Sequence, residues 1–174
     1  MITLLSIIDE AAFIEGHDVR SSELHGLSQR EGSVETQVRF GKKVYSPLIR
    51  NGQADLIIGL EILEGLRAVS RAGKQTKFLI DKYFSPFIGS LKKEEILENL
   101  NKIPRDKLYL KEASDICKKE LGNEVASGIY LLGYAVYRKL IPLKPESVLK
   151  GISKIVPGKY LDLNKKAFNL GKND

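Results

Sequence analysis

Residues 55–60 read Asp-Leu-Ile-Ile-Gly-Leu, and a helical pattern follows them over residues 62–71. A short, continuous apolar run is typical of a parallel strand that is buried on both faces. Parallel strands also need a crossover connection, which is usually a helix. Shorter runs at 77–80 and 107–110 lead to further helical patterns. The sequence therefore predicts an α/β fold with three layers, in which helices flank a mostly parallel sheet.

The segments before this core predict a helix and a β-hairpin. An apolar stripe over residues 3–15 ends at Gly16, a residue typical of helix C-termini, and a short strand is expected at 18–24. Residues 34–40 alternate between polar and apolar, and Gly-Lys-Lys at 41–43 leads into Val-Tyr-Ser at 44–46. This pattern predicts a β-hairpin insertion within residues 34–49.

The segments after the core predict further helices. Asn123 is expected to cap a long helix through Leu140, and Pro145 suits the first turn of the next helix. A final short helix is expected to start at Asp162 or Asn164. Because no repeat or linker separates these elements, we expect a single domain over residues 1–174.

Composition limits the class of protein. Of 174 residues, 43% are hydrophobic, yet no apolar stretch is long enough to cross a membrane. Cys117 is the single cysteine, which excludes internal disulfides and any all-cysteine metal or cluster site in the chain. No secretion signal is recognised in residues 1–8, so we expect a cytoplasmic protein. The net charge of +6 comes from scattered lysines, which we interpret as solvated faces, not a nucleic-acid surface.

The densest polar stretch is Ser-Ser-Glu-Leu-His-Gly-Leu-Ser-Gln-Arg-Glu-Gly-Ser at residues 21–33. It follows a predicted strand, so we expect it at the carboxyl edge of the parallel sheet, where ligands bind. The imidazole of His25 and the guanidinium of Arg30 can supply proton donors and a phosphate-binding fork. Hydrogen bonds within the loop are the alternative interpretation of the same residues.

Residues 22–34 resemble the signature loop of the indolepyruvate ferredoxin oxidoreductase beta subunit, within the gamma-domain family of 2-oxoacid:ferredoxin oxidoreductases. Later stretches fit the same family in register, among them Leu-Leu-Gly at 131–133 and Ala-Phe at 167–168. Two departures stand out. Glu31 replaces a glycine that the family usually has, and a carboxylate beside Arg30 can pair with it.

The second departure is at the start of the chain. The family opens with a strand and Gly-x-Gly-Gly-Gln-Gly, whereas Met1 aligns just after that loop. We expect either that the reading frame begins upstream or that a homodimer pairs along exposed sheet edges.

The resemblance implies a function shared between two subunits. A large (alpha) subunit would hold thiamine diphosphate and iron–sulfur clusters, and the complex would convert an aryl-pyruvate and coenzyme A to an acyl-CoA while reducing ferredoxin. This chain would carry no cofactor and would be inactive alone. The resemblance implies that His25 is catalytic. It further implies that six residues of the loop bind substrate or coenzyme A: Ser22, Glu23, Gly26, Ser28, Gln29 and Arg30.

Three other functions stay open at this point. The chain could be a gamma subunit for another 2-oxoacid, such as pyruvate or a branched-chain one. It could be a stand-alone module that binds coenzyme A or a nucleotide. Nucleic-acid binding rests on the net charge alone and is not expected.

Overall fold

Residues 2–25, 33–87 and 89–173 are described by a computed structural model. Along the chain the helices are α1 (Ile2–Ile14), α2 (Ile62–Arg67), α3 (Lys93–Leu100), α4 (Ala113–Leu121), α5 (Ser127–Tyr137), α6 (Pro145–Ile155) and α7 (Gly158–Leu170). The strands are β1 (Asp18–His25), β2 (Val34–Gly41), β3 (Ala54–Gly59), β4 (Ala72–Asp81) and β5 (Leu108–Lys111). The chain divides into two compact units, one of residues 1–49 with 132–174 and one of residues 50–131.

The unit of residues 50–131 is built on a parallel sheet in the order β3-β4-β5. The central strand β4 is buried at Phe78, Leu79 and Ile80, as its apolar run predicts. Gly65 of α2 lies so close to β4 that an added Cβ would stand 2.8 Å from Ile80 Cδ1. The predicted α/β class, with helices flanking a parallel sheet, is confirmed.

The unit of residues 1–49 and 132–174 packs α1 between α6 and a two-stranded hairpin. Ile7 and Ala11 of α1 and Ile152 of α6 are fully buried in this core. At Gly151 of α6 an added Cβ would lie 3.0 Å from the Ile7 carbonyl oxygen, so α6 approaches α1 closely at this glycine. The apolar stripe that predicts α1 therefore forms the side of the helix that is buried in this core.

The hairpin is present, but it pairs different strands from those predicted. β1 pairs antiparallel with β2, from Asp18 opposite Gly41 to His25 opposite Val34. Residues 44–49 form no strand, so the expected pairing of 34–40 with 44–46 is wrong. The reason lies in their backbone donors: Val44 N–H donates to Asp18 Oδ2 at 2.9 Å and Ile49 N–H to Gln37 Oε1 at 2.6 Å.

This pairing also moves the polar loop. Residues 26–33 join two antiparallel strands, so the expectation that the loop follows a strand of the parallel sheet is wrong. The sequence pattern of a single short strand does not show whether its partner is parallel or antiparallel, so the sheet of β1 could not be predicted. Of the polar stretch 21–33, residues 21–25 therefore belong to β1 and Ser33 directly precedes β2, while residues 26–32 lie outside the described residues.

Several element boundaries also differ from the prediction. β4 begins at Ala72, five residues before the predicted strand, and Gly73 N–H donates to Thr76 Oγ1 at 2.8 Å. Asn123 caps a short 3₁₀ turn, and the helix after it ends at Tyr137. α7 begins at Gly158, ahead of both predicted starts, because Pro157 precedes the first turn. In the described part of the chain, every helix is too short or too polar to span a membrane.

Candidate functional site

The candidate site stands at the end of the β1–β2 hairpin. Ser22 lies opposite Gln37 and Glu23 opposite Thr36, and His25 is the last residue of β1. Ser22 is half-buried and Glu23 is exposed. The other predicted site residues, Gly26, Ser28, Gln29 and Arg30, lie outside the described residues, as does the side chain of His25.

A carboxylate on α1 contacts the strand that leads into this loop. Asp9 Oδ2 accepts a hydrogen bond from Ser21 Oγ at 2.6 Å. The other oxygen, Asp9 Oδ1, is buried and has no hydrogen-bond partner among the described residues. Burial raises the pKa of Asp9 above 3.8, the Ser21 bond lowers it, and the negative charge of Glu23 raises it again. Asp9 is thus an incompletely satisfied carboxyl group at the base of the predicted site.

The opposite strand is held by an amide on β2. Gln37 Oε1 accepts from Ile49 N–H at 2.6 Å, and Gln37 Nε2 donates to Glu35 at 2.7 Å. Arg39 Nη1 donates to the Ser46 carbonyl oxygen at 3.0 Å. These bonds fasten residues 44–49 along β2, although that segment is not a strand. Hydrogen bonds therefore hold β1 to α1 and β2 to residues 44–49.

The two histidines differ in their surroundings. The ring of His17 lies 5.5 Å from the ring of Phe40, tilted by 54°. This ring contact packs His17 against β2. For His25 the structure describes the backbone, in register with Val34. Its catalytic role stays a prediction.

The carboxyl edge of the parallel sheet carries a second polar cluster, which the sequence analysis missed. Asp81, the last residue of β4, is buried, and its Oδ2 accepts from Ser114 N–H at 3.0 Å and Ser114 Oγ at 2.5 Å. Burial raises the pKa of Asp81, although the bonds from Ser114 and from the backbone N–H of Tyr83 lower it. Because Asp81 Oδ2 accepts both donors of Ser114, it links the end of β4 to the first turn of α4. An aspartate directly after the buried run 78–80 was the signal for it.

Two neighbouring groups complete this edge. Glu61 follows β3 and accepts from Glu64 N–H at 2.8 Å, whereas its Oε1 is buried without a partner in the described residues. Burial and the charge of Asp81 raise the pKa of Cys117 to about 11. Cys117 is the single cysteine of the sequence, whereas an iron–sulfur cluster needs several cysteine ligands. Across the described ranges, no group of three His, Cys, Asp or Glu side chains is placed to hold a metal ion.

A parallel α/β unit and an antiparallel hairpin whose first strand carries Ser22 and Glu23 define an α/β protein. Comparison with known proteins then identifies the family. The family model for pyruvate ferredoxin/flavodoxin oxidoreductase matches residues 1–173, and the chain belongs to this family. The resemblance first seen in residues 22–34 is confirmed.

Curated relatives cover almost the whole chain. A protein of Archaeoglobus fulgidus called indolepyruvate oxidoreductase subunit IorB is 35% identical, over 99% of this chain and 88% of its own length. A protein of Pyrococcus horikoshii with the same name is 32% identical, over 98% and 88%. Among solved structures, the gamma subunit of a keto/oxoacid ferredoxin oxidoreductase from Geobacter sulfurreducens has a TM-score of 0.70 at 20% identity, covering 99% of this chain and 89% of that one. At that identity the likeness concerns the fold.

Proposed function

We propose that the chain is the small subunit of an indolepyruvate-type 2-oxoacid:ferredoxin oxidoreductase. The observation that carries the proposal is near full-length similarity to four proteins called indolepyruvate oxidoreductase subunit IorB, at 29–35% identity. The complex would oxidatively decarboxylate an aryl-pyruvate with coenzyme A and pass electrons to ferredoxin. With its single cysteine, the chain suits a reducing compartment such as the cytoplasm.

In this proposal the large subunit brings the redox groups. Thiamine diphosphate supplies carbanion chemistry when bound, and iron–sulfur clusters carry electrons. The small subunit has one cysteine, whereas a cluster needs several cysteine ligands. In this proposal its own residues shape the shared site, and the redox step belongs to the large subunit.

The loop at the hairpin tip is the part of the chain that we assign to the shared site. His25 would move or hold a proton near the substrate, while Arg30 would bind a carboxylate or phosphate of the substrate or of coenzyme A. Ser22, Glu23, Gly26, Ser28 and Gln29 would orient these groups. The contacts of Asp9 and Gln37 support this assignment, because they fix both strands beneath the loop. A site held by such bonds keeps its geometry better than a free loop.

One relative favours a second candidate function within the same class. The pyruvate/ketoisovalerate oxidoreductases common subunit gamma of Pyrococcus abyssi is 27% identical over 95% of this chain and 85% of its own length. A gamma subunit for pyruvate or a branched-chain 2-oxoacid is thus the alternative. The two candidates differ in the substrate that the complex prefers.

The test is reconstitution of the complex from separately purified subunits. We expect the small subunit alone to turn over no 2-oxoacid, and activity to appear when the large subunit is added. Indolepyruvate and phenylpyruvate should then be used with a higher kcat/KM than pyruvate or a branched-chain 2-oxoacid. A preference for pyruvate would favour the second candidate, and turnover by the small subunit alone would refute the subunit assignment.

A further inference from the structure

Lysines and arginines are scattered along the whole chain, but the excess of basic over acidic residues lies near its C-terminus. Residues 138–172 contain nine lysine and arginine residues and two acidic residues. Residues 1–137 contain equal numbers of basic and acidic residues, 19 of each. The net charge of +6 therefore comes from the segment that forms α6, α7 and their connections. A surface with such a local excess attracts anions.

Part of this charge surrounds a groove between α6 and α7. The groove has a volume of about 540 Å³, and six residues line it: Leu149, Lys150, Ser153, Lys154, Lys165 and Asn169. Small-ligand sites span volumes of roughly 300–1,000 Å³, so the groove can hold part of a nucleotide-sized molecule. All six residues belong to one unit of the chain.

The polar groups of the groove are mainly donors. Lys154 pairs with Glu10 at 2.8 Å, which leaves Lys150 and Lys165 without an acidic partner among the described residues. Tyr137 Oη donates to Asn169 Oδ1 at 3.0 Å, so the acceptor end of that amide is occupied and its donor end is left for a ligand. The ammonium groups of Lys150 and Lys165 and the amide N–H₂ of Asn169 offer hydrogen bonds to an anion, and the ammonium of Lys154, although paired with Glu10, has further donors.

We propose that the groove between α6 and α7 binds the phosphate groups of a small organic phosphate through Lys150, Lys154 and Lys165. Ammonium groups are point charges that suit the several oxygens of a phosphate monoester or diphosphate. Leu149 provides apolar surface for the remainder of such a ligand. The proposal concerns the chain by itself and does not depend on assembly with a large subunit.

The test is calorimetric titration of the full chain with coenzyme A, ADP, inorganic phosphate and phosphate-free pantetheine. Coenzyme A and ADP should bind with dissociation constants below about 1 mM, whereas pantetheine should show no binding in this range. Added salt should weaken binding, because exposed charges are screened. In the double variant Lys150→Gln/Lys165→Gln binding should weaken at least about tenfold, since charge-assisted contacts are lost. The matched control Lys42→Gln/Lys74→Gln removes two exposed lysines that do not line the groove, and should bind as wild type does.

The four ligands also distinguish the source of the phosphate. If coenzyme A binds more tightly than ADP, the groove contacts the additional phosphate of coenzyme A. If the two bind equally, the groove contacts the diphosphate that they share. Comparable binding of inorganic phosphate would make free phosphate the ligand. Absence of binding, an unchanged double variant, or a single-stranded RNA that outcompetes every small phosphate would overturn the proposal. The activity of a reconstituted complex tests the proposed function separately.

Discussion

Ser21 Oγ donates a hydrogen bond to Asp9 Oδ2 across 2.6 Å, which ties β1 to α1 four residues before His25. The bond leaves Asp9 Oδ1 buried without a partner among the described residues, close to the charge of Glu23. Such an arrangement costs stability, because a carboxylate removed from water is compensated by a single hydrogen bond. Local conflicts of this kind concentrate at functional sites.

The first prediction follows from the raised pKa of Asp9. The folded state favours the protonated carboxyl, so its contribution to stability is present below pH 3.8 and is lost as the pH rises through the folded pKa. Asp9→Asn keeps an acceptor for Ser21 and removes the charge. We expect the variant to be more stable than wild type at pH 7, with a difference that shrinks towards acid pH. Urea unfolding between pH 4 and 8 measures this, with the exposed Asp162→Asn as control. A difference independent of pH would contradict it.

The second prediction concerns the buried carboxylate at the carboxyl edge. Ser114→Ala removes the Oγ donor that lies 2.5 Å from Asp81 Oδ2 and keeps the backbone N–H. A hydrogen bond to a charged group is worth about 1.5–3 kcal/mol, so the free energy of unfolding should fall by that amount. Ser70→Ala is the control, because Ser70 is exposed and bonded to the Arg67 carbonyl oxygen at 3.3 Å. Equal unfolding free energies for the two variants would show that Asp81 does not depend on this donor.

The third prediction gives a physical reason for two of the family markers. Gly133 on α5 lies against α7 so closely that an added Cβ would stand 2.0 Å from the Phe168 carbonyl oxygen. Backbone atoms cannot turn aside as a side chain does, so Gly133→Ala should destabilise the chain by about 1–3 kcal/mol or more. Gly41→Ala is the control, since a Cβ there has no atom within 4 Å. Thermal unfolding of both variants checks the difference, and a stable Gly133→Ala would mean that α5 and α7 can separate without cost.

Much of the fold was predictable from local signals. The continuous run over residues 55–60 predicts a buried strand, and the structure has β3 at Ala54–Gly59. Gly16, with a φ of 79°, ends α1 as predicted. These features depend on residues close together in sequence, which periodicity and capping describe well.

Features that depend on distant residues were not predictable. β2 pairs with β1 and not with residues 44–46. One reason is that the backbone N–H of Val44 donates to the side chain of Asp18, a residue far away in sequence. The contact of Asp9 with Ser21 likewise could not be predicted without knowing how α1 packs on the hairpin. The residue types of the polar stretch indicated a candidate site, whereas the contacts of Asp9 and Gln37 with the neighbouring segments required the three-dimensional structure.

The last prediction concerns the loop itself. If His25 and Arg30 face substrate and coenzyme A, His25→Ala and Arg30→Ala should each lower the turnover of the reconstituted complex at least about tenfold, because one charge-assisted contact is worth about 1.5–3 kcal/mol. The matched control is His17→Ala, since His17 packs on Phe40 at 5.5 Å and has no proposed role in catalysis. Circular dichroism and urea unfolding must show that all three variants fold. A role for Arg30 in coenzyme A binding should appear as a raised KM for coenzyme A, which a purely structural effect would not produce selectively. Unchanged kinetics in both loop variants would leave hydrogen bonding within the loop as the interpretation of these residues.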